Sequence, residues 1–403
     1  MENTREIIIS SAFSFYSKPV IKNVSLSAIA SKAGITKPAI YRHFKNRQEL
    51  DDVMVDRVFG DLYSILSKIH PEKECNVSSF VEDILILLLT HKEYFFYLIS
   101  TQVDFALDKV LLRFKKMGLS FFDKVFATDG SVTDMERYKN AIYLGGNIMF
   151  FDVVRNRITE KMNISDSYSD VVSYASKINA FFKKGLGQDT GTLSVSRMAT
   201  LDDICRANME FVKPINKVFV SISDIVKEKG FKGITVESVA HGIGLAKSSI
   251  YDRYENKTQM IGSLIQEEFE DLYRGIEKNI SHAETNAERG YVLMETALLY
   301  YMKKPEVLTV CQWFQVHSVN EIVHDQKYEE QIFCRYFENI ELYDKFPDLG
   351  LPIEDKRIIT SWFMMIPVIL FMHARNQKIS PEVVQAMLKD ILIMMETGVE
   401  NRK

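Results

Sequence analysis

Lys37, Tyr41, Arg42, His43 and Arg47 stand close together in the stretch GITKPAIYRHFKNRQEL, residues 34–50. Ammonium, guanidinium, phenol and imidazole groups spaced along one short helix suit phosphate oxygens and the edges of nucleic-acid bases. A second stretch, GLAKSSIYDRYENKTQM at residues 244–260, repeats the pattern with Lys247, Tyr251, Arg253 and Lys257. GLAKSS lacks the GxxxxGK[ST] spacing of a phosphate loop, and no strand pattern precedes it. Catalytic chemistry has no such focus. The eight histidines are scattered, HExxH and GxSxG are absent, and no motif frames a carboxylate pair, so an enzyme is not expected.

These groups reach a duplex only if the chain presents them on a helix that fits the major groove, as a helix-turn-helix does. Ser25 is a suitable N-cap, and Leu26, Ile29, Ala30 and Ala33 recur at helical spacing as a buried face. Gly34 ends that helix, because glycine tolerates the left-handed backbone a tight turn needs. Ile35 is expected to staple the turn to the core and Thr36 to cap the next helix. Pro38 falls early, where its missing N–H costs nothing. Ile40 and Phe44 point inward, which leaves Lys37, Ala39, Tyr41, Arg42 and His43 outward.

The pattern is duplicated. Residues 24–50 align without a gap onto residues 234–260 at a constant offset of 210. The pairs Ala30/Ala240, Gly34/Gly244, Lys37/Lys247, Ile40/Ile250, Tyr41/Tyr251 and Asn46/Asn256 are identical. Fainter echoes relate HKEYFFYL at 91–98 to KKPEVLTV at 303–310, and ISDSYSDVV at 164–172 to ISPEVVQAM at 379–387. Apolar residues elsewhere recur at three and four, as in Val81, Ile84, Leu85 and Leu88, and no alternating run argues for a sheet. The expected fold is all-α. Its domains are a head at 1–50 and a helical body at 51–185, a flexible Gly/Ser/Thr linker at 186–210, a second head at 211–260 and a second body at 261–403.

The spacing G-[IL]-x-K-x-x-[IL]-Y-x-x-[FY]-x-[NS]-[KR]-x-x-[LM] in both stretches resembles the DNA-binding head of TetR-family transcriptional regulators. The resemblance implies two family subunits fused in tandem, each a three-helix head followed by a ligand-binding and dimerisation body. It implies that Tyr41, His43 and Arg47 contact phosphates, while Lys37, Pro38, Ala39 and Arg42 face bases, with Ser27 close by. The corresponding residues of the second head are Tyr251, Arg253 and Lys257, then Lys247, Ser248, Ser249 and Asp252, with Glu237. It further implies that the last two helices of each half form one four-helix bundle within a single-chain pseudo-dimer. Those helices are Tyr138–Arg157 with Val171–Leu186, and Asp355–Gln377 with Pro381–Val399. Aromatic clusters in the bodies, represented by Phe95, Phe96, Trp313 and Trp362 with His317, mark a pocket for a small apolar or aromatic effector. The function so implied is a ligand-responsive repressor on an asymmetric double-stranded operator. The alternative is a DNA-tethered adaptor whose second half binds a protein.

Bulk properties agree with this reading. A net charge of −4 excludes a uniformly basic nucleic-acid coat but leaves room for a local one. Within residues 24–50, Lys32, Lys37, Arg42, Lys45 and Arg47 against Glu49 give +4; within 234–260, Lys247, Arg253 and Lys257 against Glu237, Asp252 and Glu255 give zero. Four cysteines without close pairing fit neither a zinc site nor a disulfide framework, and no cofactor or metal is expected. The N-terminus has acidic residues where a signal peptide needs basic ones. The apolar run Ile358–Ala374 is short for a bilayer and contains Pro367. A cytoplasmic chain with no membrane span is therefore expected.

Overall fold

A computed structural model of the chain describes residues 2–16, 24–69, 77–101, 113–114, 116–118, 143, 167–186, 193–209, 212–229, 233–311, 340, 342 and 357–398. The described residues are helical throughout and hold no strand. They divide into two compact units, Met1–Ala180 and Phe181–Lys403. The division falls inside a helix rather than in the expected linker.

Unit one opens with α1, Glu2–Phe13, and a 3-10 turn at Ser14–Tyr16. The short helices α2, Leu26–Lys32, and α3, Lys37–Ile40, follow, and then the long α4, Arg47–Ile69. Ile8, Ala12, Ile29, Ile40, Leu50 and Met54 are almost fully buried and weld these helices into one small core. Burying an Ile, Leu or Met side chain is worth about 1.5–3 kcal/mol, so the five of these, with Ala12, hold together helices too short to form alone. The body continues with α5, Val77–Thr90, and α6, Lys92–Thr101. Phe13 meets Tyr94 and Tyr97 of α6 edge-on at 4.9 and 5.4 Å. The Tyr97 hydroxyl donates to the carbonyl of Asp51 at 3.0 Å, and that of Tyr94 to Asp61 at 2.6 Å. Such T-shaped pairs with a satisfied hydroxyl seat the head on its body. Helix α7 is Tyr168–Lys184, and within this unit its Asn179 donates to Glu82 at 2.8 Å.

Unit two holds α8, Val195–Met209; α9, Lys217–Lys229; α10, Val236–Gly242; α11, Lys247–Tyr251; and α12, Lys257–Ile280. Its body is α13, Asn286–Lys303, with α14, Arg357–Gln377, and α15, Pro381–Thr397. Helix α13 is the hub, packed against α8, α12, α14 and α15. Helix α8 corrects the expectation of a linker at 186–210. Met198, Leu201, Asp202, Cys205 and Met209 are buried, so this segment is an integral wall of the unit. The reason is visible in Asp202: the buried face mixes polar and apolar groups, so no clean apolar stripe announces it. Residues 187–192 lie outside the described set.

The expected helices near the end of each half are found at slightly different bounds. Val171–Leu186 becomes α7, Asp355–Gln377 becomes α14 and Pro381–Val399 becomes α15, while Tyr138–Arg157 lies almost wholly outside the described residues. The apolar run from Ile358 is the interior of α14, with Trp362, Phe363, Ile366 and Leu370 buried. Among the described residues, no helix is long and apolar enough to cross a membrane.

Gly185 and Gly398 follow the ends of α7 and α15, with φ of 68° and 75°. A side chain on Gly185 would strike the backbone of Glu396 and Gly398; one on Gly398 would strike the backbone of Lys183 and Gly185. The amide of Leu186 donates to the carbonyl of Met395 at 2.8 Å across this crossing. Only glycine permits both the left-handed backbone and so close an approach.

Candidate nucleic-acid interface

The first head is built by local signals that the backbone obeys. Ser25 caps α2 by accepting from the amide of Ala28 at 3.1 Å. Gly34 takes φ 69°, and the amide of Ile35 returns to the carbonyl of Ala30 at 3.0 Å, which closes the turn. Thr36 occupies the N-cap position of α3 but makes no side-chain capping bond, so Pro38 in the first turn and the packing of Ile40 set the start of this helix. Beyond α3 the amide of Phe44 bonds to Ile40 at 3.0 Å, which buries the Phe44 ring under the outward residues. The turn into α4 is fixed reciprocally: Asn46 accepts from the amide of Glu49 at 2.9 Å, and Glu49 accepts from the amide of Lys45 at 2.6 Å.

The same bonds are found 210 residues later. Thr235 caps α10 through the amide of Ser238 at 3.0 Å. Gly244 takes φ 73°, and the amide of Leu245 returns to Ala240 at 2.9 Å. Asn256 accepts from the amide of Gln259 at 2.8 Å, while Gln259 accepts from that of Glu255 at 2.6 Å. Leu245, the counterpart of the half-buried Ile35, is 49% exposed.

The outward sets are also where the spacing placed them. Lys37, Pro38 and Arg42 are exposed on and just after α3, with Ser27 on α2, while Ala39 and His43 are half-buried. Tyr41 is 49% exposed and Tyr251 48%, which removes both from the core. Lys247, Ser248, Asp252 and Arg253 are exposed in the second head, and Ser249 is half-buried. Of Lys257 only the backbone, at the start of α12, lies within the described set.

Two placements were not legible beforehand. Arg47 turns inward: its Nε bonds both oxygens of Asp51 at 3.0 and 2.8 Å, and its Nη1 donates to the carbonyl of Val24. Burial works against the Arg47 charge, but the hydrogen bond and charge of Asp51 outweigh it, so its pKa stands above the ordinary guanidinium value. As placed, this guanidinium ties α4 to the start of α2. Lys247, by contrast, lies 4.0 Å from Glu237 of α10. The corresponding residue of the first head is Ser27. An exposed pair of this kind is worth only about 0–1 kcal/mol, yet it sets a carboxylate near Lys247 where the first head has a hydroxyl.

The expected effector residues are less informative. Trp362 is 1% exposed and packed edge-on against Phe181 and Phe363 at 5.4 and 5.6 Å, a core position. Trp313, His317 and the side chains of Phe95 and Phe96 lie outside the described set. Among the described residues, no group of three or more His, Cys, Asp or Glu is placed to hold a metal ion.

Compared with known protein families, residues 8–51 match the family described as bacterial regulatory proteins, tetR family. The match covers the second half of α1, the turn helices and the start of α4, the segment whose geometry has just been described. This head is thus similar to that of the tetR family of bacterial regulatory proteins.

Proposed function

We propose that this regulator reads DNA with two unlike heads carried by one chain, as a pseudo-dimer on an asymmetric operator. The observation that carries the proposal is the recurrence of the whole turn chemistry at an offset of 210. It includes both N-caps, both left-handed glycines and both reciprocal loops before the long helix. Recurrence on that scale supports a second helix-turn-helix at 236–251, although its surface charge has diverged.

The crossing at Gly185 and Gly398 supports the pseudo-dimer. The approach is mutual: a side chain at 185 would strike 396 and 398, and one at 398 would strike 183 and 185. Mutual approach of the chain just after the last helix of each half is what a two-fold interface would give. Here a single chain supplies both sides, so head spacing no longer depends on protein concentration. The expected bundle formed by the last helices of both halves is part of the same proposal, and so is a ligand-responsive repressor role. The effector would be a small apolar or aromatic molecule that binds the DNA-incompetent head spacing more tightly. A cytoplasmic site of action fits this function.

Stoichiometry tests the reading. Mass measurement of the protein–duplex complex should give one 46.5 kDa chain per operator. Two chains per operator would show that the heads of separate molecules pair instead. The zero net charge of residues 234–260 favours one rival, in which the second half holds a protein partner rather than DNA. In that case loss of Tyr251 and Arg253 would leave DNA affinity unchanged.

A further inference from the structure

Helix α8 is fastened into unit two by a polar seam that is buried at Asp202, Glu295 and Gln385. Asp202 of α8 accepts from the Tyr291 hydroxyl of α13 and from Lys389 Nζ of α15, the latter at 2.6 Å. Arg206 of α8 donates to Gln385 Oε1 of α15 at 2.8 Å, and Gln385 Nε2 donates to Glu295 Oε1 of α13. Asn208 bonds Asn279 of α12 at 2.6 Å, and Asn279 bonds Thr296 of α13 at 2.9 Å. One helix is thus stitched to the long helix that carries the second head, to the hub and to the last helix.

The seam is one donor short. Glu295 is fully buried, and its Oε2 has no hydrogen-bond partner. Lys389 is engaged by Asp202 and Arg206 by Gln385, so these two cations act on Glu295 through their charge, while the hydrogen bond comes from the Gln385 amide. A buried carboxylate with one bare oxygen is among the costliest groups a protein interior can hold, and taking a proton removes most of that cost.

We propose that Glu295 is a proton-operated latch for α8: the seam closes with this carboxyl neutral, and loss of the proton loosens α8. The second head follows α8 after only a few residues, so the latch would also set how firmly that head is held, a consequence that rests on the DNA-binding reading above. The groups facing Glu295 are Asp202, Arg206 and Cys205 from α8, Tyr291 from its own helix, and Lys389 with Gln385 from α15. Helix α12 brings the neutral Asn279, and the ionisable residues of α14, Arg357, His373 and Arg375, stand in its terminal turns. The thiol of Cys205 is pushed up to about 12 by burial and stays neutral. Burial first, and the charge of Asp202 second, push the Glu295 carboxyl up to about 7. The seated helix therefore holds a proton that an unseated one releases, and seating weakens as pH rises from the ordinary carboxyl range through about 7.

Hydrogen exchange along α8, corrected for the intrinsic rate at each pH, tests this without DNA. Protection of residues 195–209 in the intact chain should fall about tenfold between about pH 6 and about pH 8.5, because pH 6 lies about one unit below a carboxyl held at about 7. Protection of α10 should stay level. Glu295→Gln, which is neutral at every pH, should abolish the fall. Lys389→Met removes a facing cation and should move the midpoint to higher pH, which keeps the proposal testable if the glutamine variant does not fold. Equal protection of α8 at both pH values, or the same fall in Glu295→Gln, would overturn the latch. Failure of DNA binding by the second head would leave this result untouched.

Discussion

Residues 24–50 and 234–260 of this chain hold nearly the same backbone bonds and carry unlike charge. Residues 24–50 carry a net charge of +4 and have Ser27 at the position where residues 234–260, of net charge zero, have Glu237 close to Lys247. The contrast separates what a fold demands from what a duplex demands. Caps, left-handed glycines and the inward pair Ile40 and Phe44 recur as Ile250 and Tyr254, because every such turn needs them. Arg42 and Asp252 stand exposed at matching positions, and there the two stretches diverge. Guanidinium suits a guanine edge, whereas a carboxylate accepts from cytosine and is repelled by phosphate.

The largest effect should come from removing a base-facing cation of the first head. Arg42→Ala is expected to cost about 1–3 kcal/mol of operator affinity, measured by titration at fixed salt. Asp252→Ala should cost less than that or improve binding. Equal losses in the two variants would mean that the heads contribute alike despite their charges.

Next in size is Arg47. Its bonds to Asp51 and the Val24 carbonyl predict a loss of about 1–3 kcal/mol of stability in Arg47→Ala. The salt slope of DNA binding should hardly change, whereas Lys45→Ala should lower it by about one phosphate contact. Denaturant unfolding together with a salt titration checks both. A steep loss of slope in Arg47→Ala would return this residue to the phosphates.

How much of this could be read in advance depended on range. The head was legible because Ser25, Gly34 and the spacing of Ile29, Ile40 and Phe44 act on neighbours a few residues away. The role of Arg47 was not, since its partner carbonyl lies 23 residues back and comes within reach only when the core closes. Helix α8 was missed for a related reason. Its buried Asp202 and Cys205 look like solvent or linker residues until Tyr291, Lys389 and Thr296 arrive from elsewhere in the chain. The same applies to Glu295 and Gln385, which sit on helices whose other buried residues are mostly apolar, and whose burial no local pattern signals.

The smallest effect sharpens the comparison most finely. Glu237→Ser gives the second head the residue of the first and removes the carboxylate 4.0 Å from Lys247. Operator affinity should rise by about 0.2–1 kcal/mol, the range for an exposed pair, with a steeper salt dependence. No change, with Lys247→Ala also silent, would place this lysine away from the duplex.

Selection of bound sequences from random DNA tests the central claim most directly, because it reports base preference, symmetry and spacing together. Two unlike half-sites are expected, their centres about one helical turn apart or slightly more. The half-site read by Arg42 should be the better defined, and it alone should lose its preference in Arg42→Ala. A perfect palindrome would contradict the account: the heads would then read alike, or two chains would bind through their first heads and leave the second idle.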